Sequence, residues 1–150
     1  MNRQQLLQRI EKAWTEFRDS YAGFSDSQMT DALVTSTWTA KDVISHVTWW
    51  EEEALKYLPL IAEGRRPPRY SVMYGGIDAF NALMTEERRC LSLREVLERA
   101  ARVHRELIDY LEGVPEKLFE TDTRFRQRLR VDTYGHYRIH AKAITEWRSR

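Results

Sequence analysis

Apolar residues along this chain recur three and four positions apart, which is the spacing of one face of an α-helix. The spacing predicts a first helix from about Arg3 to Tyr21, followed by a polar connector over residues 22–38. Its inward face would consist of Leu6, Leu7, Ile10, Trp14 and Phe17. Glycine and proline are sparse, so long helices dominate the predicted structure.

A second helix is predicted to begin after Thr37 or Thr39, because either hydroxyl can accept a hydrogen bond from the free amides of a first turn. The helix should reach Gly64, although Pro59 falls inside the pattern and is expected to kink it. Its inward face would consist of Val43, His46, Val47, Trp50, Ala54, Tyr57 and Leu58.

The middle of the chain predicts one short and one long helix. Residues 65–76, rich in Arg, Pro, Tyr and Gly, are the least helical, and a short helix follows from about Asp78 to Arg89. Ser92 fits a capping box that starts a third long helix, which Gly113 then ends.

The C-terminal part is less regular before its final helix. Residues 124–130 (RFRQRLR) alternate as a strand would, but no partner strand is visible, so we expect an extended loop or a broken helix over 116–131. A last helix should run from Asp132, as N-cap, to the C-terminus. Its inward face would carry His136, His140, Ala143, Ile144 and Trp147.

Four long amphipathic helices without a set of strands predict an all-α fold, a four-helix bundle formed by a single domain over residues 1–150. The connection over residues 65–91 is too long for a tight antiparallel hairpin. We therefore expect a crossover between the second and third long helices, which gives an up-down-down-up order.

Charge and composition restrict the partners. With 24 Lys+Arg against 23 Asp+Glu, the net charge of +1 provides no field of one sign, so neither nucleic acid nor a membrane is expected as partner. The arginines of residues 124–130 have acidic neighbours and predict a solvated loop. No secretory signal is evident and Cys90 is the only cysteine, so we expect a cytoplasmic protein with an inert thiol.

Histidines are the most distinctive candidates for chemistry. His136 and His140 are one helical turn apart, and His46 lies on the apolar face of the second helix, so three imidazoles can meet around a zinc, nickel or iron ion. Each is equally interpretable as a hydrogen-bonded core residue. His104 is expected to be a plain core histidine. Residues 51–53, three consecutive glutamates, are expected to form a solvated helix face.

Two His-bearing segments resemble the signatures of DinB-like proteins. These are STWTAKDVISHVTWWEEEAL (36–55) and TYGHYRIHAKAITEWR (133–148), and residues 77–84 and 92–107 are similar to the ClbS/DfsB-like branch. The resemblance implies a DinB/YfiT-like four-helix bundle, often dimeric, in which His46, His136 and His140 match the three ligands of a divalent metal. Branch members frequently lack the complete triad, whereas this chain has His140.

The resemblance also implies several activities. The superfamily includes thiol-dependent transferases and isomerases, and the branch includes proteins that protect against genotoxic small molecules. Our first hypothesis is a metal-dependent transferase or hydrolase of an unknown small-molecule substrate. Tyr137, Tyr134 and Glu53 are its candidates for proton transfer, although Glu53, two turns from His46, is expected to be a pocket or surface carboxylate. The alternatives are a metal-independent binding or resistance protein and a non-enzymatic homodimeric module.

Overall fold

A computed structural model describes residues 1–150, and all of its regular elements are helices, which confirms the all-α prediction. A single isolated β-bridge between Leu33 and Thr39 is the nearest approach to a strand. The helices are α1 (Arg3–Ser20), α2 (Asp26–Thr30), α3 (Ala40–Ala62), α4 (Tyr70–Met73), α5 (Ile77–Arg88), α6 (Leu93–Glu112), α7 (Lys117–Glu120), α8 (Arg124–Asp132) and α9 (Tyr134–Arg148). None of them is both long and apolar enough to cross a bilayer.

The start of α3 is fixed by a reciprocal cap. The hydroxyl of Thr39 accepts a hydrogen bond from the amide of Asp42 at 3.1 Å, and the Asp42 carboxylate accepts one from the amide of Thr39 at 3.1 Å. Thr39, and not Thr37, is therefore the N-cap. The helix continues through Pro59 to Ala62.

Helix α3 is the centre of the packing. It lies against α6 and α8, while α1 pairs with α9, and α5 covers the flank of α3. The main core has 25 buried residues and draws on all four long helices. A second, smaller core joins Trp49 and Trp50 of α3 to Phe80 of α5. The up-down-down-up order stays a prediction.

The three connections contain short helices, of which α2 and α4 were not predicted and α5 was. Residues 22–38 contain α2, capped by Ser25, and residues 65–91 contain α4 and α5. Residues 116–131 form a broken helix, the second of the two structures expected there, as α7 followed by α8. Asp132 is wrong as the N-cap of the last helix, because it is the final residue of α8 and α9 begins at Tyr134.

Candidate metal centre

Three histidines meet at one side of α3. The Nε2 atom of His136 lies 2.9 Å from Nε2 of His46 and 3.0 Å from Nε2 of His140. One ring nitrogen from each histidine lies within 4.8 Å of the other two. His104 is not part of this cluster, so the three residues singled out by their spacing are the ones that the fold brings together.

Local backbone structure positions each imidazole. His46 lies two turns into α3, downstream of the Thr39 cap, and His136 with His140 occupy the first two turns of α9. The junction between α8 and α9 is tight, since a Cβ at Gly135 would lie 2.9 Å from the carbonyl oxygen of Arg130. Glycine at this position thus permits the close turn that directs His136 toward α3.

Hydrogen bonding among the three rings is incomplete. A neutral imidazole nitrogen either carries a proton or offers one lone pair. Nε2 of His136 cannot therefore make two full, linear hydrogen bonds to its two neighbours. Nδ1 of His46 and Nδ1 of His136 are also buried without a partner. Three imidazole nitrogens so close together fit the ligand set of a metal ion better than a hydrogen-bonded core.

Burial keeps these imidazoles neutral. Desolvation, together with the neighbouring imidazoles, lowers the pKa of His46 to about 2, and the same causes lower the pKa of His136 to about 3. Desolvation lowers the pKa of His140 to about 4. The ring of Trp38 supplies part of this apolar cover, because its centroid lies 4.5 Å from that of His46. All three side chains are thus in the protonation state that binds a metal.

An open cleft of about 440 Å³ adjoins the histidines. It is bounded by residues of α3, α4, α5, α8 and α9. Its lining consists of His46, Trp50, Tyr70, Ile77, Asn81, Arg128, Val131, Asp132 and His136. Two of the three candidate ligands therefore face a space that a small molecule can enter.

Polar residues of the cleft form a chain of contacts. Arg128 donates from Nε to Oδ2 of Asp132 at 2.6 Å and from Nη2 to the hydroxyl of Tyr70 at 2.9 Å. Tyr70 in turn donates to Oε1 of Glu53 at 3.0 Å. Burial raises the pKa of Asp132 to about 6 even though Arg128 opposes the shift. The expected solvated loop over residues 124–130 is therefore wrong for Arg128, whose side chain is 17% exposed.

The residues proposed for proton transfer lie elsewhere or are already engaged. Tyr137 is fully buried and its hydroxyl donates to Oε2 of Glu51 at 2.9 Å, not to the triad. Tyr134 is buried in the main core under the guanidinium of Arg9. Glu53 is nearly buried and contacts the cleft through Tyr70. Among the three, only Glu53 is linked to a residue of the cleft.

The three consecutive glutamates are not a solvated face. Glu51 is completely buried, Glu53 is 9% exposed, and Glu52 pairs with Arg88 and Arg99. Glu51 is held by His104, whose Nδ1 lies 2.7 Å from Oε2 of Glu51 and whose Nε2 lies 2.6 Å from Oε1 of Glu11. His104 is thus a core residue, as expected, but one that is hydrogen-bonded to two glutamates.

Sequence reasoning missed Asn81, Arg128, Asp132 and Tyr70 as cleft residues. Arg128 and Asp132 do carry one readable signal, the four-residue spacing that permits an ion pair on a helix. That spacing was hidden by the strand-like alternation of residues 124–130.

Comparison with known proteins supports the same architecture. A family model described as "DinB superfamily" matches residues 9–138. The solved structure of "Sibling Lethal Factor Precursor - DfsB" superposes with a TM-score of 0.82 at 14% identity, covering 99% of this chain and 96% of that one. A crystal structure of a Streptococcus pneumoniae protein gives a TM-score of 0.82 at 16% identity, with coverage of 99% and 91%.

A further neighbour concerns nucleic acid. The colibactin self-resistance protein ClbS, crystallised in complex with a dsDNA, superposes with a TM-score of 0.80 at 13% identity and covers 98% of this chain and 95% of that one. Such low identities show the fold alone. Because this neighbour was crystallised with dsDNA, it does not support the expectation that nucleic acid is not a partner. No curated protein matches the chain in sequence.

Proposed function

The chain belongs to the DinB superfamily, and we propose that it is a divalent-metal protein whose ion is held by His46, His136 and His140. We propose further that it is a hydrolase or a thiol-dependent transferase that acts on a small molecule in the adjacent cleft. Zinc, nickel and iron all suit three imidazoles.

The arrangement of the three Nε2 atoms carries this proposal. They approach within 2.9 and 3.0 Å, yet a ring nitrogen has one proton or one lone pair, so no tautomer satisfies both contacts. One cation accepting a lone pair from each ring removes the conflict. The single exposed cysteine, Cys90, offers no competing ligand at this place.

An ion bound by three neutral imidazoles would keep positions for water or substrate and would act as a Lewis acid there. The protein's own residues contribute the surroundings. Trp38 and Trp49 cover the ring of His46 and keep water from it, with ring centroids 4.5 and 4.9 Å away. Arg128 lines the same cleft and is fixed by Asp132 and Tyr70, so that it can orient a substrate.

Elemental analysis of protein purified without an affinity tag tests the metal site. We expect about one transition metal ion per chain, and loss of most of it in His46→Ala and in His140→Ala. Cys90→Ser is the matched control, because it removes an exposed potential ligand outside the triad. The proposal is wrong if wild-type protein incubated with zinc, nickel or ferrous ion and then desalted retains no ion near unit occupancy.

A metal-independent small-molecule binding or resistance protein is the second candidate. The fold likeness to the self-resistance protein ClbS and the open cleft support it. Under this reading, His140→Ala would leave ligand binding intact, whereas a metal-dependent enzyme would lose turnover with its ion. A fluorescence titration with dsDNA measures whether this chain binds DNA, because the ClbS structure contains dsDNA.

We propose that the protein forms a homodimer, as the resemblance to DinB-like proteins implies, whether or not it is an enzyme. Exposed apolar side chains at Val72, Val131 and Ile139 offer surface for a second copy. Light scattering coupled to size-exclusion chromatography measures the mass directly, and 17.9 kDa would be the monomer.

A further inference from the structure

Two residues whose hydrogen-bond donors are held in place line the cleft beside the histidines. One is Arg128, with its guanidinium, and the other is Asn81, with its side-chain amide. Neither residue belongs to the histidine triad, and neither is part of a motif recognised in the sequence. Their geometry indicates the kind of molecule that the cleft accepts.

The orientation of Asn81 is set by two tryptophans. Its Oδ1 atom accepts hydrogen bonds from the indole Nε1 of Trp49 at 3.1 Å and of Trp50 at 3.0 Å. An indole nitrogen can only donate, so the carbonyl oxygen of Asn81 must face both rings. The amide nitrogen is then turned away from the indoles, and it makes no hydrogen bond within the protein.

Arg128 is held as firmly. Asp132 accepts from Nε and Tyr70 accepts from Nη2, while the guanidinium carbon lies 5.5 Å from the ring centroid of Tyr57 and 5.8 Å from that of Tyr70. A guanidinium has five N–H groups, and those on Nη1 have no partner in the protein. A rigid fork with free donors is the geometry that recognises a carboxylate.

Apolar side chains complete the cleft. The ring of Trp50 lines it, and Ile77 and Val131 are 54% and 62% exposed at its edge. Covering such side chains favours a ligand with an apolar body. The carboxylates of Asp132 and Glu53 stand behind Arg128 and Tyr70, so a single negative charge is tolerated better than two.

We propose that the cleft binds a small monoanionic carboxylic acid with a flat apolar body, whose carboxylate pairs with Arg128 and accepts a second hydrogen bond from the amide of Asn81. This inference rests on the proposed function for the identity of the cleft as a substrate site. Arg128 and Asn81 are specificity residues, and Asp132 and Tyr70 position the guanidinium.

Calorimetric binding of phenylacetate and of its neutral counterpart 2-phenylethanol tests this proposal. Both compounds are measured on metal-stripped and on zinc-incubated protein. We expect phenylacetate to bind about ten-fold more tightly or better in both forms, as a charged hydrogen-bonded pair provides. Phenyl phosphate serves as the dianionic probe and should bind more weakly than phenylacetate.

Variants distinguish the specific roles of Arg128 and Asn81 from a general loss of charge or of folding. Arg128→Gln should abolish the preference for phenylacetate, while Arg130→Gln, an equal loss of charge at an exposed position of the same helix, should keep it. Asn81→Asp keeps an oxygen for both indoles but places a carboxylate toward the cleft, so it should also abolish the preference. Circular dichroism verifies that each variant is folded, and Asn81→Asp carries the test if Arg128→Gln is not.

Failure of this inference is distinguishable from failure of the metal site. Equal binding of phenylacetate and 2-phenylethanol overturns it, as does tighter binding of phenyl phosphate. A preference that survives Arg128→Gln but disappears on stripping zinc also overturns it, because the carboxylate then binds the ion. A protein that binds no metal but prefers phenylacetate through Arg128 supports the inference while the proposed metal site fails.

Discussion

Oε2 of Glu51 on α3 lies 2.7 Å from Nδ1 of His104 on α6, inside the bundle. Tyr137 of α9 donates to the same carboxylate oxygen, and Glu11 of α1 reaches the other nitrogen of His104 at 2.6 Å. Burial alone would lower the pKa of His104, but the hydrogen bonds and charges of Glu51 and Glu11 outweigh it and raise the pKa. Four helices are thus joined through the ring of His104.

Replacement of Glu51 should destabilise the protein strongly. Glu51→Gln removes the buried carboxylate that His104 and Tyr137 share and leaves His104 with only the half-exposed Glu11 carboxylate, and breaking a buried pair in this way costs about 3 kcal/mol or more in the free energy of unfolding. The neighbouring Glu52→Gln is the control, since its more exposed pairs should contribute about 1 kcal/mol or less. Urea unfolding measures both, and equal losses would contradict the prediction.

The helix cap of α3 should contribute less to the free energy of unfolding than Glu51 does. Thr39→Ala removes the hydroxyl that accepts from the amide of Asp42, which costs about 1 kcal/mol. Thr37→Ala is the matched control, because its hydroxyl has no cap partner. Chemical unfolding of the two variants should differ by that amount; identical midpoints would show that Thr39 does not stabilise α3.

Metal binding should raise thermal stability through the triad. A ligand at one hundred times its dissociation constant adds about 2.7 kcal/mol to the native state. We therefore expect zinc to raise the Tm of the wild-type protein by several degrees, and to have little effect on His136→Ala or His140→Ala. Differential scanning calorimetry provides the measurement. A shift that persists in both variants would mean that zinc binds elsewhere.

The metal-free protein should lose stability in acid. The pKa values of His46, His136 and His140 are lowered to about 2, 3 and 4 by burial, so between pH 6.5 and 4 the unfolded chain binds protons that the folded chain does not. Above pH 6.5 these histidines are neutral in both states and do not change the free energy of unfolding. Below pH 6.5 the free energy of unfolding falls as the pH falls, by about 1.4 kcal/mol per pH unit for each histidine.

Three other groups have the opposite sign, so the test needs a control variant. The raised pKa values of Asp132, Glu51 and His104 favour the folded state at low pH, and this stabilisation is lost as the pH rises through those pKa values. The triad is therefore isolated by comparing wild-type protein with His136→Ala/His140→Ala in a chelator. Urea unfolding at pH 7.5, 6 and 5 should give a shallower dependence for the double variant. Parallel curves would refute the assignment.

Site residues could be predicted from the sequence only where the pattern that marks them lies within a few positions on one helix. His136 and His140 are one turn apart on one helix, and His46 lies on an apolar helical face, so periodicity alone brought them forward. Asn81 and Arg128 come from α5 and α8, and no spacing relates them. The buried state of Glu51 was equally unreadable, because its partners are 53 and 86 residues away.

The sequence by itself determined the all-α class, the approximate extent of the long helices and the three candidate metal ligands, because helical periodicity and capping are set by residues within a few positions of each other. Tertiary structure decided which polar side chains are buried, where the cleft lies and which donors face it. Those properties depend on how α3, α5, α8 and α9 pack, and packing joins residues that the chain keeps far apart.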